Sequence, residues 1–272
     1  MQKSPSIFNR VFATLIFFTR LPLWRICSPD KDSYERVVPF WPLAGWLTGM
    51  VMVLTFLLTS SMLPLGISVA LTLVARLLLT GGLHEDGFAD FCDGFGGGTS
   101  KDRTLEIMKD SHIGTYGVLG LVLYYLILWQ TLTTLLATGI TPWVMMVVDA
   151  FCKYLASTIV YFLPYARKES EAKSRIVYTR TSTSEKLLSL ILGVFPFIVV
   201  VMTTIVVAPA SFNWHFPNTS LWLLAMLIPA LLCGLLFRLM QRRINGYTGD
   251  CCGATFIMAE LCAYICLVGV HY

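Results

Sequence analysis

The sequence predicts an all-α, polytopic integral membrane protein of about seven transmembrane helices, with an acidic site facing the cytoplasm. Three observations carry this expectation. The chain is 56% hydrophobic and only 13% charged, with a mean hydropathy of +0.70, whereas soluble domains carry charge on roughly a quarter of their residues. Apolar runs of about 20 residues, long enough to cross a bilayer, recur from residue 37 to residue 270. Between two of them lies a polar island, Gly81 to Gly117, which holds seven of the 16 acidic residues in the chain. With no internal repeat or low-complexity tract, residues 1–272 read as a single membrane-embedded catalytic domain.

Residues 1–36 come first. Val11 to Trp24 is apolar but contains Arg20 and Pro22 and lacks a small-residue cleavage site, so it predicts an interfacial or re-entrant segment rather than a signal peptide. Its Phe17-Phe18-Thr19-Arg20-Leu21-Pro22 run brings Arg20 near the inner face, either to clamp a phosphate or to snorkel to lipid headgroups. Spans are predicted at 37–62 and at 65–83, the second carrying Arg76.

The island follows, with His84, Glu85, Asp86, Asp90, Asp93, Asp102, Glu106 and Asp110. On a helix, Asp86, Asp90 and Asp93 share one face, because they are spaced by four and three residues. Clustered carboxylates repel unless a cation sits between them, and hard oxygen ligands suit Mg²⁺ or Mn²⁺, which usually arrive with a phosphate. The expected core metal ligands are therefore Asp86, Asp90 and Asp93, with Glu85 and Glu106 as outer candidates. Arg103, Lys109 and Gly94 to Gly98 lie in the same island, where backbone N–H groups and cations could hold phosphate oxygens; no P-loop ending is present. Asp102 and Glu106 also fit an ordinary amphipathic juxtamembrane helix. Asp110 is the first candidate for general base and His84 the second. His84 could equally ligate a metal or simply hydrogen-bond a neighbour.

Further spans are predicted at 114–137, 140–163, 187–208, 220–239 and 252–270, with Pro42, Pro196 and Pro229 marking kinks or shifted boundaries. Asp149 and Lys153, one turn apart, are set to neutralise each other. Glu260 is an intramembrane carboxylate, which is costly and points to a site or a partner; Arg76 and Lys153 are the candidates for that partner. Gly246 to Asp250 opens the last span, and Asp250 there either caps the helix or meets a substrate phosphate or a bridging metal.

Orientation follows from positive charge. With the N-terminus inside, segments 1–36, 84–113, 164–186 and 240–251 hold 17 of the 20 Lys and Arg residues, and the outside segments 63–64, 138–139, 209–219 and 271–272 hold none. The island is thus expected on the cytoplasmic side of the inner membrane. The eight cysteines show no zinc-ribbon spacing, and a reducing compartment disfavours disulfides.

Five segments together resemble the cobalamin 5′-phosphate synthase (adenosylcobinamide-GDP ribazoletransferase) family: FFTRLP at 17–22, PLAG at 42–45, GGLHEDGFADFCDG at 81–94, DRTLEIMKDSHIGTYG at 102–117 and GYTGDCCGA at 246–254. The resemblance implies a Mg²⁺-dependent membrane enzyme that joins α-ribazole, or its 5′-phosphate, to adenosylcobinamide-GDP and releases GMP. Its implied partners are these small molecules and the lipid bilayer, with no nucleic acid; a homo-oligomer is compatible. His112 stands where the family motif usually has Arg, and Lys153 where a Ser-Arg pair is common. Pieces of the island also resemble the acidic signature of the CDP-alcohol phosphotransferases, without its spacing.

Overall fold

The computed structural model describes residues 5–167, 178–179, 181–207 and 219–271. Basic residues Lys168, Lys173, Arg175 and Arg180 of the third inside segment, and most of the outside segment 209–219, lie outside the described residues.

Helix α1 (Ile7–Phe18) is capped by Ser6, whose Oγ accepts from the Asn9 N–H at 3.1 Å. Its 12 residues are too few to cross a bilayer. The short α2 (Lys31–Glu35) leads to α3 (Trp41–Ser60), where Pro42 sits in the first turn and needs no hydrogen-bond acceptor. Helix α4 (Leu65–Thr80) then ends on two successive left-handed glycines, Gly81 at φ 65° and Gly82 at φ 74°, a conformation costly for any side-chain-bearing residue. The chain turns by 90° into α5 (Leu83–Gly97). The predicted second span thus stops at Thr80. Much of what read as an inner-face loop, residues 84–97, is a helix packed against the last span.

A short α6 (Lys101–Ile107), capped by Ser100, folds back on α5 and leads to α7 (Thr115–Ala137). Helices α8 (Val144–Ser157) and α9 (Ile159–Phe162) form one nearly continuous span, followed by α10 (Thr183–Val207), α11 (Thr219–Ile244) and α12 (Gly249–His271). Pro196 and Pro229 lie inside α10 and α11 without ending them. Six helices among the described residues are long and apolar enough to cross a membrane, and the bent α4–α5 pair brings the number to seven. Helix α11 runs five residues beyond its predicted end, so Arg242 and Arg243 ride on its last turn, where cations oppose the negative end of the helix dipole.

Helices α8 and α12 are the most enclosed spans, while leucines such as Leu58, Leu78, Leu123 and Leu231 face outward. That apolar exterior is what lipid requires. Helices α3 and α8 touch backbone to backbone: a Cβ on Gly45 would lie 2.6 Å from Ala150 Cα, and one on Gly49 would overlap Met146 Cα. Small residues four apart permit this approach. At the same contact Lys153 pairs with Asp149 and donates to Thr48 Oγ1 at 3.2 Å, and Thr48 donates to Asp149 at 2.9 Å. The expected mutual neutralisation of Asp149 and Lys153 is therefore present, and Glu260 takes Arg76 as its partner.

Candidate active site

Four segments meet at one end of the bundle: the end of α1, the Gly81–Gly82 bend, the start of α5 and the start of α12. Arg20 N–H donates to the Leu79 carbonyl at 2.7 Å, and its side chain lies over Gly81 in the space a Cβ would need. Helices α5 and α12 approach through glycines on both sides. A Cβ on Gly87 would sit 3.0 Å from Asp250 Cα, and one on Gly253 would sit 3.0 Å from the His84 carbonyl oxygen. Two clusters far apart in the sequence, 81–94 and 246–254, thus form one surface.

Two concavities open here. One is a cavity of about 310 Å³ with aromatic walls, lined also by His84, Asp86, Lys153, Arg167 and Asp250. The other is a more open groove of about 670 Å³, lined by Thr19, Arg20, Gly81, Gly82, Glu85 and Asp86 among others. Asp86 is exposed and lines both.

The island carboxylates have separate surroundings. Asp93 is buried, and its two oxygens accept from the Gly114 N–H at 2.7 Å and the Gly117 N–H at 2.9 Å. It therefore satisfies N–H groups at the start of α7 that lack helical acceptors. Either glycine, if given a Cβ, would place it 2.5 Å from Asp93. Glu85 turns inward, accepts from the Tyr125 hydroxyl at 3.1 Å and lies 3.8 Å from Arg76. Glu106 is exposed and paired with Arg103 at 2.8 Å, one turn away on α6. Asp110 is exposed and accepts from both the backbone N–H of His112 at 3.0 Å and its Nδ1 at 2.7 Å. Those hydrogen bonds hold the Asp110 carboxyl below its ordinary value. Neither Asp110, Arg103 nor Lys109 lines the cavity or the groove.

At the start of α12 the cap is Thr248, whose Oγ1 accepts from the Cys251 N–H at 3.4 Å; Asp250 lies in the first turn and at the cavity wall. His84 is buried between the rings of Phe18 and Phe256, with centroids 5.5 and 4.4 Å away, and its Nε2 has no partner among the described residues.

No three His, Cys, Asp or Glu residues converge to hold a metal among the described residues. Asp86 and Asp250 do share one cavity wall, and Asp90 lies one turn along α5 from Asp86. Mg²⁺ usually takes one or two protein carboxylates and completes its shell with water and substrate phosphates. The donor set fits a metal that arrives with a phosphorylated substrate, rather than a cage formed in advance by three α5 carboxylates.

The family model for cobalamin-5-phosphate synthase matches residues 10–268. The chain belongs to that family. Its relatives include the adenosylcobinamide-GDP ribazoletransferases of Leptospira interrogans, 32% identical over 97% of both chains, and of Shewanella frigidimarina, 33% identical over 96% of this chain and 95% of that one. The Shewanella oneidensis enzyme of the same name is 32% identical over 95% and 93%. No solved structure matches the chain.

For this member of the family, the structure adds cavity residues that the motifs did not single out. Trp41, Arg167, Tyr165, Tyr178 and Phe256 all line the cavity. Trp41 directly precedes the PLAG segment, and Phe256 lies two residues beyond the end of GYTGDCCGA. Adjacency to those segments was the available signal; aromatic residues in an apolar chain otherwise read as core.

Proposed function

We propose that this protein is a membrane ribazoletransferase that joins α-ribazole, or its 5′-phosphate, to adenosylcobinamide-GDP, with its reaction centre at Asp86. The reading rests on family membership and on one structural observation: Asp86 lines both the aromatic-walled cavity and the more open groove, a place where two substrates can meet.

The ribose 3′-oxygen attacks the phosphorus attached to cobinamide. The bond from that phosphorus to the bridging oxygen breaks, and GMP leaves with the electron pair. Asp86 and Asp250, with Asp90 adjacent, would hold Mg²⁺, which supplies charge neutralisation to the diphosphate and the departing GMP. Arg20, exposed along the groove, offers its guanidinium to the diphosphate oxygens. His84 lines the same cavity as Asp86, which Asp110 does not, so its imidazole is better placed than Asp110 to accept the 3′-hydroxyl proton. The concentration of Lys and Arg on one set of connecting segments supports a cytoplasm-facing site in the inner membrane.

The test is GMP release from adenosylcobinamide-GDP and α-ribazole 5′-phosphate by the protein in detergent, with and without Mg²⁺. Asp86→Asn is nearly isosteric and should lower turnover by about a thousandfold or more while the protein still elutes as a folded species. Near-normal turnover in Asp86→Asn would remove the proposed centre.

A further inference from the structure

Helix α5 begins without a side-chain cap, because Gly82 stands at the capping position. Its first turn, which carries Asp86, is therefore held by tertiary contacts, and Glu85 makes them. Glu85 is 6% exposed. Its Oε1 accepts from the Tyr125 hydroxyl at 3.1 Å and lies 3.8 Å from Arg76 Nη2, while its Oε2 is buried. Glu85 borders the groove, yet its carboxylate turns into the bundle. Asp86 follows it in the chain, and successive helical residues are turned by about 100° from each other. Fixing Glu85 inward thus fixes Asp86 outward, where it is exposed.

The same arginine also holds α12. Arg76 pairs through Nη1 with Glu260, which is fully buried, and donates from Nη2 to the Tyr124 hydroxyl at 2.5 Å. Tyr124 in turn donates to Glu260 Oε2 at 2.8 Å. Consecutive tyrosines of α7 therefore serve one carboxylate each, Tyr124 that of α12 and Tyr125 that of α5.

One guanidinium from α4 thus stands between two carboxylates, so the group is not a simple neutralised pair. Well-packed apolar side chains are often as stable in such a place as buried ions, or more so. Stability alone does not account for the arrangement. What it does fix is the relation between two helices, since α5 and α12 are held to the same planar fork. Those helices bring Asp86 and Asp250 to one cavity wall.

We propose that Arg76 is a positioning residue for the reaction centre: by holding Glu85 and Glu260 at once, it sets Asp86 against Asp250. Glu85 and Tyr125 complete this clamp, and Glu85 does not ligate the metal. The inference rests on the reading that Asp86 and Asp250 hold Mg²⁺ together with a substrate diphosphate. A lysine would carry the same charge at a single point, without the fork that reaches two carboxylates from separate nitrogens.

Equilibrium dialysis of manganese pyrophosphate against the full chain in detergent reads the metal site without turnover. Arg76→Lys keeps a cation for Glu260 and should weaken binding on the order of tenfold, the effect of one hydrogen bond to a charged group. Tyr125→Phe removes one hydroxyl from a half-buried ring and should act in the same direction if Arg76→Lys fails to fold. Unchanged affinity in the folded variants overturns the clamp. In an Asp250→Asn background neither change should weaken binding further, because the group that the clamp aligns is gone. An additive loss there would place the action of Arg76 elsewhere and also overturn it. Glu85→Gln keeps an acceptor for Tyr125 and should lose less than Asp86→Asn; an equal loss would return Glu85 to the metal. Asp86→Asn separates the two ideas. If it binds as the parent does, the metal centre fails and the clamp with it; if it loses binding while Arg76→Lys and Tyr125→Phe do not, the clamp alone fails.

Discussion

Asp86 and Asp93 share a face of α5, yet one opens on two concavities and the other is consumed by the start of α7. Their substitutions should therefore fail differently. Asp93→Ala removes two charge-assisted acceptors and should cost about 3 kcal/mol or more, read as a lower unfolding temperature in detergent. If any Asp93→Ala protein remains folded, its Mg²⁺ half-saturation should match the parent; a large shift there would return Asp93 to the metal site. Asp110 gives a prediction in pH. Its folded value is lowered by His112, so its stabilising contribution is fully present above the unfolded carboxyl value and is lost only as pH falls through the folded value. Asp110→Asn should leave the acid limb of the kcat/KM profile near neutrality where it was, and a displaced limb would reinstate Asp110 as the base. The shared face of the three α5 carboxylates was readable from their spacing. Their separate fates were not, because Asp93 meets its partner 21 residues on and Asp86 faces a helix that begins at Gly249. Spacing sets the direction of a side chain, and the tertiary neighbour decides its use.

Among the elements, the spans were largely legible because an apolar run of bilayer length suits a lipid-crossing helix and little else. The bend after Thr80 was not. In an apolar context Gly81-Gly82 reads as the edge of a run, and only the two positive φ values reveal a right-angled turn that sets α5 against α12. Gly81→Ala should test the turn: the added Cβ meets the Arg20 side chain and a left-handed backbone, at a cost of about 1–2 kcal/mol before the steric overlap. Loss of activity with the spans intact is expected, whereas wild-type activity would show the turn to be dispensable. The α3–α8 contact is less forgiving, since a side chain at Gly49 meets Met146 backbone rather than a movable group. Gly49→Leu should abolish a monodisperse gel-filtration peak, and a normal peak would contradict the backbone-to-backbone packing.

For the molecule as a whole, the orientation can be checked from opposite sides in a version without native cysteines. Ser100→Cys should resist a membrane-impermeant thiol reagent until cells are opened, while Met62→Cys, at a position 79% exposed between α3 and α4, should react in intact cells. The reverse pattern would invert the protein in the membrane. The bundle interior also holds a buried network: Arg76 pairs with Glu260 and donates to the Tyr124 hydroxyl at 2.5 Å, and Tyr124 donates to Glu260 at 2.8 Å. Breaking a buried pair from one side costs about 3–5 kcal/mol.

That network has a consequence for how the chain is made. Arg76 enters the membrane early and Glu85, 3.8 Å from it, follows within nine residues, but Glu260, its direct partner, is 184 residues further on, in the final helix. At ribosomal speeds of roughly 5–20 residues per second, the arginine waits on the order of ten seconds or longer for that direct pairing. Lys153 has no such delay, because Asp149 precedes it by one turn and Thr48 is already present. The nascent protein therefore holds this arginine on the longer Glu85 contact alone until its last helix inserts. A chain ended before Gly249 should be cleared rapidly by membrane proteases, and Arg76→Met should prolong the lifetime of that truncated chain; an unchanged lifetime would show that the waiting charge is tolerated.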